Sequence, residues 1–402
     1  MYGKVLDDEA KFLDALGRIA KSDYLNDDEM LWVLLEHGDI DPLGLFVANY
    51  RRNPKKIATS FKSETGHSLS FRSPRNDKDR IVRAKFWEYV RMQLDHVLSI
   101  KAIEIRKRMQ GMLISNVHFD TPVQYGEWGQ IFDIPCVGIR PAIVNDPDVW
   151  RYWVGYATRL VADATQKLPV VSIRFNLAAV GARKIPTKST ITYWHSQAIQ
   201  NGARGFDFWM LDFLADRRDP RSYIGPINGN PDQSTIPKDR WNAMLEICRN
   251  LSGRKAFNPP RSDLAIFVNL FGSSPQHWQR LFQAYCVLAS RKIFSNFVTD
   301  ENLVYNRVKL AKFKVLIVPE LTAVRVAVLN SLQRFVEEGG TILMAAFREV
   351  LPDRNAQSEF MGILSARKKL ERRPRNVLLR NKKLVLRQRN LCYHRTFGTL
   401  PK

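Results

Sequence analysis

The sequence predicts an α/β fold in which parallel strands alternate with helices. Short apolar runs without charges, such as Met30–Leu35 and Leu168–Ile173, suit strands that are buried on both faces. Between the runs lie longer segments with apolar residues at helical spacing, of which 81–108 is the longest. Repeated succession of strand and helix before residue 258 indicates a parallel sheet or barrel.

Each element follows from one of these two patterns. In the first part of the chain we predict helices at 10–20, 81–108, 150–164 and 190–200, and strands at 30–35, 111–117, 132–139, 168–173 and 202–210. In the later part we predict strands at 263–268, 313–319 and 341–345 and helices at 279–290 and 324–337. Gly339 and Gly340 follow the last helix and are typical of a glycine C-cap.

Three segments of the chain differ in composition and in the pattern of their apolar residues, and these differences indicate the domain organisation. Residues 1–258 form the first α/β unit, and 259–365 a smaller Rossmann-like or flavodoxin-like unit. The two are joined at Asn258–Arg261, where two consecutive prolines indicate a linker. Residues 366–402 form a basic tail.

Charge is concentrated in that tail. The chain carries a formal net charge of +22, and thirteen Lys or Arg residues lie in 366–402 against the single acid Glu371. Such a run binds nucleic acid or an anionic surface, or it is a solvated extension. The tail has few aromatic residues and no RNA-binding signature, so the sequence favours the extension over nucleic-acid binding.

Composition excludes several other classes of protein. An apolar fraction of 45% and a charged fraction of 25% are those of a globular protein. No apolar run is long enough to span a membrane, and the acidic start at Asp7–Glu9 is unlike a signal peptide, so we expect a cytoplasmic protein without a membrane partner. The four cysteines lie far apart, so we predict neither a metal site nor a cofactor.

Several motifs in the first unit occur in a recognisable order. Residues 31–36 (Leu-Trp-Val-Leu-Leu-Glu), 111–116, 168–176 and 200–209 are similar to the fourth, fifth, seventh and eighth strands of glycoside hydrolase family 42. In the second unit, 263–268, 312–321 and 332–343 resemble the trimerisation domain of these β-galactosidases. The resemblance covers about residues 10–350. It implies an incomplete (β/α)8 barrel, about strands four to eight, followed by a trimerisation-like domain.

The resemblance also implies the chemistry of a retaining glycosidase acting on a β-galactoside. Such an enzyme needs two carboxyl groups about 5–5.5 Å apart. Glu36 occupies the acid/base position, although Leu35 stands where the family has an asparagine. Arg174 occupies the nucleophile position, and the stretch 165–188 contains no Asp or Glu. A permanent cation cannot act as a nucleophile.

Three further residues are candidates for binding the sugar. Asn116 ends a predicted strand, Trp209 could stack on a sugar face, and Asp212 follows the eighth strand, with Asp207 as the other acid there. Each has a structural alternative: a core tryptophan, or a polar strand end that binds its own loop.

Three hypotheses of function follow, with one of assembly. The first is a β-galactosidase-like hydrolase with Glu36 as acid/base. The second is an inactive homologue or fragment that binds carbohydrate or only assembles, and the third, disfavoured, is a nucleic-acid-binding protein. A homotrimer is predicted from the resemblance. The helix face formed by Trp278, Phe282, Tyr285 and Leu288 supports it, because a small domain need not bury all four side chains.

Overall fold

The computed structural model describes fourteen stretches of the chain, which contain two parallel sheets. They are 32–34, 54–69, 77–108, 113–118, 128–139, 147–174, 187–209, 235–251, 259–260, 262–272, 275–344, 347–350, 376–379 and 382–385. The helix predicted at 10–20 lies outside the described residues.

The first sheet has five strands, each parallel to its neighbour. They are β1 (Trp32–Leu34), β2 (Leu113–His118), β3 (Ile134–Ile139), β4 (Val170–Arg174) and β5 (Gly205–Trp209), and their order in the sheet is their order in the chain. Sequential parallel neighbours are the arrangement of a TIM-type barrel. The predicted α/β class and the partial barrel are therefore confirmed.

The described helices of the first part are α1 (Pro54–Thr65), α2 (Asp77–Arg108), α3 (Trp128–Ile131), α4 (Pro147–Thr165), α5 (Lys188–Gln200) and α6 (Thr235–Leu251). Of these, α4, α5 and α6 pack on one face of the first sheet. Val171 and Ile173 of β4 belong to the same buried cluster as Leu160 of α4 and Trp194 of α5. The apolar side chains that alternate along the strands thus hold the helices on the sheet.

The second sheet has the strand order of a flavodoxin-like fold. Its elements are β6 (Leu264–Val268), α7 (Pro275–Ser290), β7 (Asn296–Thr299), α8 (Asp300–Val304), a 3-10 turn at Leu310–Lys312, β8 (Val315–Val318), β9 (Leu321–Ala323), α9 (Val326–Glu337), β10 (Thr341–Met344) and β11 (Phe347–Val350). The order β10-β8-β6-β7 is parallel throughout, while β9 and β11 form a separate parallel pair. The first strand therefore lies between the second and the third, as in flavodoxin-like sheets.

The helix face that supported a trimer is covered within the chain. Phe282, Tyr285 and Leu288 of α7 are buried, and Trp278 packs against the same cluster. The ring of Phe282 lies 5.1 Å from that of Tyr156 in α4. The expectation that this face is free for a neighbouring subunit is wrong, because α4 occupies it. One hydrophobic core consequently runs from the first sheet into the second.

Three described helices end at a glycine in the left-handed region, the first being α1, which Gly66 follows with φ +72°. Gly339 has φ +99°, and the N–H of Gly340 donates to the carbonyl of Phe335 at 2.8 Å, which confirms the predicted cap of α9. Gly202, with φ +101°, closes α5 in the same way.

The basic tail contains an antiparallel hairpin. Strand β12 (Asn376–Leu379) pairs with β13 (Lys382–Val385), and residues 380–381 connect them. No element was predicted there, because its few apolar residues lie among many charges.

Candidate functional site

The two faces of strands β4 and β5 have different roles. Val171 and Ile173 point towards the helices, and Phe206 and Phe208 of β5 pack against the same cluster. Since successive side chains in a strand point to opposite faces, Ser172 and Asp207 lie on the face away from the helices. That is the interior face of the partial barrel.

A polar pair occupies this interior face. Ser172 and Asp207 are register partners on adjacent strands, and the Ser172 hydroxyl donates to Oδ2 of Asp207 at 2.8 Å. Ser172 is fully buried, whereas Asp207 is half-buried. The serine thus orients a carboxylate that solvent partly reaches, and such a group can accept hydrogen bonds from sugar hydroxyls.

The predicted nucleophile and stacking positions meet at the carboxyl end of the same two strands. Arg174 and Trp209 are Cα partners at the last register position of β4 and β5. Only the backbone of these two residues is described. In TIM-type folds the active site lies at this end of the strands.

The other predicted residues are not brought together by the described structure. Asn116 lies in β2, paired with Pro135, so β3 separates it from β4; its side chain is not described. Glu36 and Asp212 lie outside the described residues. The proposed acid/base position is therefore known only as two residues beyond the end of β1.

Near β2, the described residues of the interior face stabilise the sheet and do not form part of a binding site. The hydroxyl of Ser115 donates to the carbonyl of Ile134 at 2.6 Å, and both Ser115 and Cys136 are fully buried. A buried hydroxyl that is satisfied by the neighbouring strand holds the two strands in register and leaves no donor for a ligand.

The pairing of Ser172 with Asp207 was missed in the sequence, although a signal was present. Each is a small or charged residue between two large apolar ones, in a strand that packs on helices. Asp207 itself was noted, but its partner depends on the register of β4 against β5. Among the described residues there is no group of three or more His, Cys, Asp or Glu side chains that could hold a metal ion.

The helices of the described part differ from membrane-spanning helices. None combines the length and the apolar character needed to cross a bilayer.

Comparison with known proteins gives matches in structure but not in sequence. No protein-family model matches the chain, and no curated protein matches it. Among solved structures, a family 42 β-galactosidase from G. stearothermophilus is 16% identical with a TM-score of 0.55, over 75% of this chain and 48% of that chain. The cold-adapted β-galactosidase from Rahnella sp. R3 is 15% identical with a TM-score of 0.59, over 83% and 53%.

A third solved structure agrees with these two. The β-galactosidase from Bacillus circulans sp. alkalophilus is 14% identical with a TM-score of 0.57, over 83% of this chain and 53% of that chain. The chain thus spans about half the length of the proteins it matches. At such identities the likeness shows the fold, and the fold of this chain is that of the family 42 β-galactosidases.

Proposed function

We propose that the chain is a glycoside-hydrolase-like protein with a β-galactoside site at the carboxyl edge of the first sheet, and that Arg174 weakens its hydrolytic step. The observation that carries the proposal is the five-stranded parallel sheet in chain order, which brings positions 174 and 209 together at that edge. Active sites of TIM-type folds are built there. The likeness to three β-galactosidases of the same fold supports this choice of substrate.

Glu36 is the proposed general acid/base. It would donate a proton to the leaving oxygen, a contribution of about 10²- to 10⁴-fold in rate. Its position directly after an apolar run suits a carboxyl group whose proton is retained until it is needed. Leu35 cannot make the hydrogen bond to sugar that the asparagine of the family makes, which reduces the support for the transition state.

Asn116, Trp209 and Asp212 are the proposed sugar-binding residues. An amide and a carboxylate bind hydroxyl groups, and an indole ring stacks on the apolar face of a galactose ring. We add Asp207 to this set, because Ser172 holds its carboxylate on the interior face, two residues before Trp209.

Binding without turnover is the second candidate function, and Arg174 is the observation that favours it. A retaining mechanism needs a second carboxyl group about 5–5.5 Å from the first. A guanidinium at that position forms no glycosyl bond and repels the positive charge that develops on the sugar. Asp207 is the acid that the described part of β4 and β5 contains, one strand away from the nucleophile position.

Hydrolysis of nitrophenyl β-galactoside tests the catalytic part of the proposal. We expect the wild-type chain to turn this substrate over slowly, and Arg174→Glu to raise the rate, because it restores a carboxylate at the required position. A rate in Arg174→Glu that is no higher than that of the wild type would overturn the view that Arg174 weakens hydrolysis. Wild-type turnover that Glu36→Gln leaves unchanged would contradict Glu36 as the acid/base, which should contribute at least about 100-fold.

Binding is measured separately, by titration calorimetry with galactose and with a β-galactoside that is not cleaved. We expect binding that Asp207→Asn and Trp209→Ala weaken, while Asp263→Asn, an exposed acid-to-amide change in the second part, serves as the matched control. No heat of binding with either ligand, in a protein that circular dichroism shows to be folded, would contradict the carbohydrate site.

We also retain as proposals the division into 1–258, 259–365 and 366–402 and the assembly into a homotrimer. The trimer is now supported by the likeness of fold alone, since α4 covers the α7 face within the chain. Light scattering on the full chain tests it, and a monomer mass at micromolar concentration would rule it out.

A further inference from the structure

Helix α2 connects the two sheets. It has 32 residues and is therefore about 48 Å long. In its first half Ala84 packs with Phe271 and Ala323, at the carboxyl ends of strands in the second part. Near its end Arg106 donates to the carbonyl of Ile131 at 2.8 Å, beside β3 of the first sheet. The helix thus has one anchor on each sheet.

The anchor on the second sheet contains a cluster of buried and half-buried charges, which we name the α2 latch. It consists of Glu88 and Arg91 from α2, Asp300 and Glu301 from α8, and Arg325 from the residue before α9. Its ion pairs join Arg325 to Glu88 at 2.6 Å, Arg325 to Asp300 at 3.2 Å and Arg91 to Glu301 at 3.7 Å.

Asp300 holds in place the part of the latch that belongs to the second sheet. Its carboxylate is fully buried and accepts the backbone N–H groups of Leu270 and Phe271 at 3.0 Å each. Arg91 of α2 donates to the carbonyl of Leu270 at 3.1 Å. The segment after β6 is therefore held between the second sheet and α2, and movement of α2 would have to break these contacts.

Glu301 is the member of the latch whose negative charge is least well compensated by a neighbouring cation. Its contact with Arg91 is the longest ion pair of the latch, and its side chain is only 8% exposed. Burial and the neighbouring carboxylate of Asp300 raise the pKa of Glu301 to about 7, with a smaller contribution of the same sign from Asp95. Arg91 and Arg325 act in the opposite direction. Two carboxylates, those of Asp95 in α2 and Asp300 in α8, thus act on Glu301 together with two guanidinium groups, and burial adds to the effect of the carboxylates.

We propose that the α2 latch is proton-gated: it holds the first half of α2 on the second sheet while Glu301 is protonated, and it loosens when Glu301 ionises. The sign follows from proton linkage. Docked Glu301 binds a proton up to about pH 7, whereas undocked, hydrated Glu301 loses it near its ordinary pKa of 4.5. The docked state is therefore most stable below pH 4.5, and this stability is lost as the pH rises to about 7.

Amide hydrogen exchange of the full chain, followed by mass spectrometry and corrected for the intrinsic rate at each pH, measures the opening of α2. Between pH 6 and pH 8 we expect the equilibrium constant for opening to rise about tenfold for peptides in 80–95. Peptides in 100–107, at the other anchor, should show no such step.

Two variants show which residue causes the rise in the equilibrium constant for opening between pH 6 and pH 8. Glu301→Gln is neutral at every pH and should give the same protection of 80–95 at pH 6 and pH 8. Glu88→Gln removes a carboxylate of the same latch but leaves Glu301, so the step should remain. A flat wild-type profile, or an equal step in Glu301→Gln, would overturn the proposal. Should Glu301→Gln fail to fold, the wild-type profile and Glu88→Gln still decide. No sugar is involved, so the result is independent of the carbohydrate proposal.

Discussion

Asp163 of the first part of the chain contacts the second part directly. It lies near the end of α4, where its carboxylate is paired with the Arg159 guanidinium through two contacts at 2.8 and 2.9 Å. The same carboxylate accepts the backbone N–H of Phe297 in β7 at 2.7 Å and the amide of Asn296 at 3.2 Å. Burial raises the pKa of Asp163, whereas Arg159 and the hydrogen bond from Phe297 lower it.

Replacement of Asp163 by Asn leaves a buried cation without its partner. Arg159 has a side chain only 7% exposed, so little water can reach its guanidinium. Breaking a buried pair from one side costs about 3–5 kcal/mol. The new amide can still accept from Phe297, but its NH2 group would face other donors. We expect a loss of that size in the free energy of unfolding, a large share of the roughly 5–15 kcal/mol of a domain.

Urea unfolding followed by circular dichroism measures the loss. Asp263→Asn is the matched control, because its pair with Lys314 is exposed, and we expect a change there of about 1 kcal/mol or less. Adding Arg159→Met to Asp163→Asn should recover about 1–3 kcal/mol, since the unpaired cation is removed. Equal losses in Asp163→Asn and Asp263→Asn would refute the assignment of Asp163 as a junction between the two parts.

Three smaller predictions concern packing and thiol chemistry. An added Cβ in Gly155→Ala would lie 2.7–2.8 Å from three polar side-chain atoms, so we expect a loss of about 1–3 kcal/mol in urea unfolding. In Gly272→Ala the Cβ would lie 2.4 Å from the carbonyl oxygen of Ala323, and we expect a lower melting temperature in calorimetry; an unchanged value would contradict the close approach. Burial raises the pKa of Cys286 to about 12, so iodoacetamide at pH 8 should modify the exposed Cys248 before Cys286, as peptide mass spectrometry would show.

The regular elements were largely predictable because their signals are local. The apolar runs of β4 and β6 and the helical spacing in α4 require no knowledge of the rest of the chain. Strand β7 was missed, since it has four residues and both ends are polar. Those ends have tertiary roles: Asn296 binds the Asp163 carboxylate, and Thr299 caps α8. Polar residues with such roles look like loop residues in the sequence.

What covers a helix face could not be predicted. The apolar face of α7 was recognised, but an amphipathic pattern does not tell whether its partner is another subunit or an element of the same chain. Tyr156 in α4, which packs on that face, lies more than one hundred residues earlier. The pairing of Glu88 with Arg325 in the α2 latch spans an even longer separation. Such contacts depend on the arrangement of both sheets, which no local pattern encodes.

The two faces of β4 have separate roles, so the fold does not depend on the residues of the proposed site. Val171 and Ile173 hold the strand against the helices and are fully buried, while Ser172 lies on the opposite face with Asp207. The hydrophobic energy of the fold therefore comes from side chains that have no part in the proposed site. A carboxylate at position 174, next along the strand, is not needed for the packing of Val171 and Ile173. An arginine at the proposed nucleophile position is thus compatible with the packing of the helices on this sheet, so the fold and the proposed weakening of hydrolysis do not conflict.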